Sequence, residues 1–194
     1  ITMVEMSGEG IAVAVDETRL PKNLLFFPVS DVRDQILKEN PFVGSVSLRK
    51  KYPGTLVITA VPRKPFVIVG VGRETYALDA QGVVLSQYPS AADLPVIHLS
   101  MPPVHPGDTV ADPIVLTAVR FLRETASVLR VWEIAPFESS GLQARAEGMS
   151  IRFAQDADGA LLARTLQTVM AGFRIKGKLP TVVDLRFDKP VVKF

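Results

Sequence analysis

The stretch NPFVGSVSLRKKYPGTLVITAVPRKPFVIV, residues 40–69, holds two apolar-rich runs, flanking prolines and five basic residues. From Phe42 to Leu48 the side chains alternate: Val46 and Leu48 share one face, Ser45 and Ser47 the other. That is the period of a half-buried strand. KYPGT then reads as a turn hinged on Pro53-Gly54, and Thr55 to Val61 as the returning strand. On the N-terminal side, Asn40-Pro41 ends a helix over DVRDQILKEN, because a residue before proline is pushed out of helical geometry. Val32, Ile36 and Leu37 give that helix its apolar stripe, and Ser30 is its expected cap. A short strand over Thr2 to Met6 opens the chain, followed by irregular sequence as far as Pro28. The result is a β-helix-ββ unit closed by a hairpin, and nothing in the quoted stretch is catalytic.

From Pro65 onward the pattern changes to a mainly β region. PFVIVGVGRETYALDAQGVVLSQY predicts a strand, a Gly72-Arg73 turn, a strand through Leu78, an Ala80-Gln81-Gly82 turn and a third strand. Val96 to Leu99 is a further strand candidate, and SMPPVHPGD a loop. Asp112-Pro113 is a helix start, a capping side chain followed by proline at the first helical position. Ile114, Ala118, Phe121, Leu122 and Leu129 then fall on one helical face. Leu142, Ala144 and Ala146 alternate with polar residues, as do Met149, Ile151 and Phe153 across a Glu147-Gly148 turn. Asp158 is expected to cap a second helix striped by Leu162, Leu166, Val169 and Met170, with Gly172 near its end. TVVDLRFD is the last element. The expected class is α+β, with two domains, 1–64 and 65–194. The second carries helices over 112–129 and 159–172 on a mainly antiparallel sheet.

Composition narrows the function. The 194 residues are 47% hydrophobic and 22% charged, a folded profile with a sizeable core. Twenty-two basic and 20 acidic residues leave a net charge of +2, and no basic cluster is interleaved with aromatics, which argues against nucleic-acid binding. With no cysteine, disulfides, thiol catalysis and thiolate metal sites are excluded. The chain begins at Ile1, without an initiator methionine, so it is expected to be a fragment or a processed product. No window approaches the roughly 20 apolar residues of a spanning helix. Any anchor is therefore expected upstream.

The candidate chemistry is sparse. His98 and His105 are the only histidines; neither has metal-ligand spacing to a second histidine or a cysteine, so both read as structural. DADG at 156–159 opens like a calcium loop without its remaining ligands, and helix capping explains it better. GVGRET leads into a strand, not a helix, so it is no phosphate loop. Ser139-Ser140 precedes a glycine without the strained nucleophile elbow or a nearby histidine. The expectation is a non-enzyme with no cofactor and no metal.

The order of these signals resembles the FtsQ/DivIB family of bacterial cell-division proteins. The resemblance is carried by NLLFFPVSDVRDQI, then NPFVGSVSLRKKYPGTLVITAVPRKPF, then YALDAQGVVL at 76–85, and VVDLRFD at 182–188. It implies a POTRA domain over 1–64 and an FtsQ/DivIB-type β domain over 65–194. It also implies a single-pass protein of the plasma (inner) membrane, anchored by an N-terminal helix absent from this chain. The described chain would then lie on the extracytoplasmic or periplasmic side, at the septum. Such proteins are non-enzymatic scaffolds of the divisome that hold FtsB and FtsL, with further division proteins met through the POTRA domain. The sequence departs from the family at Pro62, where glutamate is frequent, and at Phe187, where tyrosine is common. A further departure is GIAVAVDETRLPK at 10–22, where the first POTRA helix is expected to be shortened or lost.

In VVDLRFD, Val183, Leu185 and Phe187 are expected on one strand face and Asp184, Arg186 and Asp188 on the other. By itself this is an ordinary late edge strand protected by its charges. With the resemblance it becomes a place for β-strand addition by a partner. Arg186 and Phe187 are then the contacting side chains, and Pro190 limits the pairing register. The alternatives are a POTRA module of an outer-membrane assembly or secretion protein, and an enzyme or small-molecule binder.

Overall fold

The computed structural model describes residues 3–8, 13–15, 28–87, 93–175 and 179–194. The chain divides into two compact units, Ile1–Lys64 and Pro65–Phe194.

In the first unit, β1 (Met3–Gly8), α1 (Val29–Glu39), β2 (Val43–Lys51) and β3 (Thr55–Pro62) follow in order. The sheet order is β1-β3-β2, with β1 parallel and β2 antiparallel to β3. Period-2 alternation on β2 and β3, with a register shift between Val43 and Ser45 that restores Val43 to the same side, sends Val43, Val46, Leu56, Ile58 and Ala60 to one face. Val32 and Ile36 of α1 close that face into a core. Ser30 is not the cap. The helix begins two residues before the expected Asp31, at Val29, and Pro28 occupies the cap position at φ −78° without a side-chain hydrogen bond. A proline already held at that φ, with no N–H to satisfy, enters a helix at little cost. The Ser30 hydroxyl instead meets Asp31 Oδ1 at 2.9 Å. β2 runs three residues past Leu48 because its ladder with β3 continues to Lys51↔Thr55. The Tyr52–Pro53 peptide in the turn is cis. Most of residues 10–22, where a reduced first helix was expected, lies outside the described residues; Val13 to Val15 belong to neither helix nor strand.

The second unit contains β4 (Val67–Val71), β5 (Glu74–Leu78), β6 (Val84–Gln87), β7 (Val96–Ile97), α2 (Pro113–Thr125), β8 (Val131–Phe137), β9 (Gly141–Ala146), β10 (Met149–Ala154), α3 (Gly159–Ile175), β11 (Val182–Asp184) and β12 (Val191–Lys193). The strands form one sheet in the order β12-β11-β10-β9-β8-β7-β4-β5-β6. It is mixed, with parallel pairs at β4–β7, β7–β8 and β10–β11. α2 and α3 cover one face, where Leu142, Ala144, Met149, Ile151 and Phe153 join Phe121, Leu122, Leu162 and Leu166 in the core. Phe121 and Phe153 stack at 4.2 Å between centroids.

The caps are those expected. Asp112 Oδ1 accepts from the Ile114 and Val115 amides at 2.8 and 3.1 Å. Asp158 Oδ1 accepts from those of Ala160 and Leu161 at 2.8 and 3.3 Å. α2 stops at Thr125, short of Leu129, and the amides of Val128 and Leu129 bond back to the Thr125 carbonyl. Val115 and Val119, missing from the expected stripe, are buried. The YALDAQG motif has a structural cause. Asp79 is buried and its Oδ1 accepts from the Gln81 and Val83 amides at 2.9 and 2.8 Å, while Gly82 turns at φ 85°.

Candidate functional site

β11 is short because its ladder ends at Asp184, and the alternation expected over VVDLRFD ends with it. Val183 is fully buried and Leu185 half-buried, its amide donating to the Arg152 carbonyl at 2.8 Å. Beyond that point the chain leaves the sheet, and Phe187 is 60% exposed. The expected exposed row of Asp184, Arg186 and Asp188 is therefore not formed. Asp184 is only 7% exposed, Arg186 is half-buried and Asp188 alone faces solvent.

Arg186 folds back onto Asp184 as a bidentate pair, Nε to Oδ1 at 3.0 Å and Nη2 to Oδ2 at 2.8 Å. The Arg186 backbone amide adds a third bond to Oδ1 at 3.2 Å. Its remaining nitrogen, Nη1, donates to Glu138, 48 residues away in the β8–β9 turn. Glu138 is held there at φ 55°, the one described non-glycine residue in left-handed geometry. The Phe137 ring lies under two guanidinium groups, Arg152 at 4.2 Å and Arg186 at 5.0 Å. Arg186 also approaches the Phe187 ring at 5.7 Å. The guanidinium hydrogen bonds hold the Asp184 carboxyl below its ordinary range against the opposing pull of burial. The two carboxylates in turn raise Arg186 further above its usual range.

A second correction concerns the edge. β11 is flanked on both sides, parallel to β10 and antiparallel to β12 through Val182↔Lys193, Val183↔Val192 and Asp184↔Val191. Pro190 ends the excursion after Asp188, and three residues suffice to rebuild a ladder beyond it. The outermost strand at this side of the sheet is therefore β12. Val191 and Phe194 are 46% and 56% exposed on or beside it. Glu138, Phe137 and Arg152 were not foreseen as neighbours of Arg186. They come from β8, the β8–β9 turn and β10, and no local spacing in the sequence links them to it.

The other candidates behave as structural groups. His98 Nε2 lies 3.4 Å from Glu133 Oε1, whose other oxygen accepts from Arg145 at 3.2 Å, and His105 is exposed near Asp108. Gly72-Arg73 is a plain hairpin turn between β4 and β5. Ser139 and Ser140 lie exposed in the β8–β9 turn. Among the described residues no group of three or more His, Asp or Glu side chains is placed to hold a metal. No described helix is long and apolar enough to cross a membrane.

No curated protein matches the chain. Residues 5–61 match the family model of the FtsQ-type POTRA domain, a span that takes in α1 and β2 whole, β1 from Glu5 onward and β3 as far as Val61. Residues 5–61 are thus an FtsQ-type POTRA domain by that match, a finding consistent with the FtsQ/DivIB family.

Proposed function

We propose that this chain is the extracytoplasmic part of a non-enzymatic division scaffold, in which 65–194 is the FtsQ/DivIB-type β domain. It binds FtsB- and FtsL-type partners during septum formation and is held at the plasma membrane by an upstream helix. The observation that carries the reading is the FtsQ-type POTRA domain at residues 5–61. The partner adds a strand along the outer side of β12, since the ladder positions of β11 are already filled on both sides. Val183 and Asp184 support that edge from within. Leu185, Arg186, Phe187 and Asp188 form its rim, and the exposed ring of Phe187 is the apolar contact. Main-chain pairing supplies affinity in strand addition, and neighbouring side chains supply specificity.

Titration with the extracytoplasmic segment of FtsB tests this. Phe187→Ala costs about 2 kcal/mol of binding if the ring is a buried anchor in the complex. Arg186→Glu weakens binding, because it breaks the bidentate pair with Asp184 and sets a further carboxylate beside Asp184 and Glu138. Hydrogen exchange locates the added strand: amides of β12 gain protection, and those of β6, at the opposite edge, do not. Unchanged affinity in both variants, with folding intact, removes this edge from the interface.

A further inference from the structure

We propose that the tip of the β2–β3 hairpin docks on an anionic phospholipid surface. The tip is Arg49-Lys50-Lys51-Tyr52-Pro53-Gly54, and from Asn40 to Arg73 the sequence has six basic residues and no acidic one. Arg49, Lys50 and Lys51 are therefore the only charged residues between Asn40 and Pro62. Strand alternation places exposed Arg49 and Lys51 on the sheet face away from α1 and Lys50 on the helix side, so basic side chains stand on both faces beside the tip. The Tyr52 ring beside them is 63% exposed. A singly exposed ring is ordinary. A tyrosine at the apex of a hairpin beside three consecutive cations is the pairing found where protein meets lipid headgroups.

The register of β1 gives this tip its position. β1 runs parallel to β3, and Met3 pairs with Thr55, the first residue after the turn. Lys51 pairs with the same Thr55 from the other side. β1 therefore begins at the end of the sheet carrying the basic turn, two strand spacings or about 10 Å from β2. That separation is on the order of the Debye length of about 8 Å at physiological salt. The orientation rests on the membrane-anchored placement proposed above, whereas the lipid-binding chemistry of the tip does not.

The test is sedimentation of the chain with phosphatidylcholine vesicles, with or without phosphatidylglycerol at about one lipid in three. A basic residue near an anionic surface contributes roughly fivefold in partition, so Arg49→Glu/Lys51→Glu should lower binding to the anionic vesicles at least tenfold. Tyr52→Ala should lower it a few-fold. Arg73→Glu/Arg130→Glu changes the net charge equally, in the other unit, and should leave binding near wild type. Added salt should release the protein, and soluble glycerol phosphate at matched phosphate concentration should not. Circular dichroism checks folding, with Arg49→Gln/Lys51→Gln as the milder variant. Binding of FtsB by the tip variants should be unchanged, so failure of the partner reading and failure of this one are separate results. The proposal is overturned if wild type shows no preference for anionic vesicles, if the tip variants retain binding, or if the control falls equally. Release by glycerol phosphate would also overturn it, since that indicates a phosphate pocket.

Discussion

Asn40 should be the most sensitive polar position of the first unit. It is 8% exposed at the C-terminal end of α1, and its amide makes three bonds of 2.8 Å. Oδ1 accepts from the Ala14 amide, and Nδ2 donates to the carbonyls of Ala14 and Ile36. One side chain thus joins the helix end to the segment that crosses it, while the Asn40 carbonyl accepts from Val43 at the start of β2. Asn40→Ala removes three bonds at about 0.5–1.5 kcal/mol each and strands partly buried partners, a loss of about 2–4 kcal/mol. A unit of 64 residues is worth only about 3–10 kcal/mol in all. The variant therefore sits close to unfolding.

The assay must resolve the two units, because the only tryptophan, Trp132, belongs to the second. Hydrogen exchange does so. Amides of Leu56 and Ile58 in β3 should lose protection by roughly 30- to 1,000-fold, the equivalent of that free energy. Amides of Ala144 and Ile151 in the second unit should be unaffected. Asn40→Asp should not rescue, because a carboxylate retains the acceptor for Ala14 but faces two carbonyl oxygens with no donor. A loss of protection below about tenfold in Asn40→Ala would show that the three bonds do not hold this unit together.

Further outcomes concern the second unit and the chemistry. Asp184 has a depressed folded pKa, so its contribution to stability is complete above the unfolded value near about 3.9 and is lost as pH falls through the folded one. Urea midpoints followed by Trp132 fluorescence should fall more steeply below about pH 4 in wild type than in Asp184→Asn, and parallel curves would refute the linkage. Gly70 sits at φ 145° in β4, where an added Cβ would overlap the Glu74 carbonyl oxygen and lie 2.8 Å from Thr75 Cα. Gly70→Ala should therefore cost at least about 3 kcal/mol in the same assay, and a cost under about 1 kcal/mol would disprove the close approach. Chelator treatment should leave the melting temperature unchanged, and a stoichiometric metal whose removal lowers it would overturn the metal-free reading.

Elements whose signal is local were legible in the sequence. The β2–β3 hairpin follows from alternation plus Pro53-Gly54, and α2 and α3 begin where Asp112 and Asp158 cap them. Errors arose where a residue's behaviour is decided by a distant partner. Ser30 has a capping side chain, yet Pro28 upstream starts the helix before it. Asn40 was legible as a helix stop, but its bonds to Ala14 span 26 residues and leave no local trace. Val115 and Val119 were left outside the α2 stripe because a helix buried against both a sheet and a neighbouring helix needs more than one apolar face.

The terminal segment shows the same limit with more consequence for function. Read alone, VVDLRFD alternates from Val183 onward, and that alternation predicts strand through Asp188 with Arg186 in solvent. The alternation fails because Asp184 is buried and must be paired, and the nearest cation is two residues on. A carboxylate taken out of water demands its partner more strongly than a half-exposed strand demands its ladder. Arg186 therefore turns back, Leu185 keeps one last bond to Arg152, and the chain leaves the sheet before Pro190. The same ion pair that shortens β11 also frees Val191 to Lys193 to return as β12 on its outer side. The Asp184–Arg186 pair thus marks the fold-back that carries the chain to the sheet's outer edge. If that is its role, Arg186 is a positioning residue as well as a rim contact. Loss of the Asp184 pair in Arg186→Glu would then also loosen β12, and its effect on partner binding would exceed that of a rim charge alone.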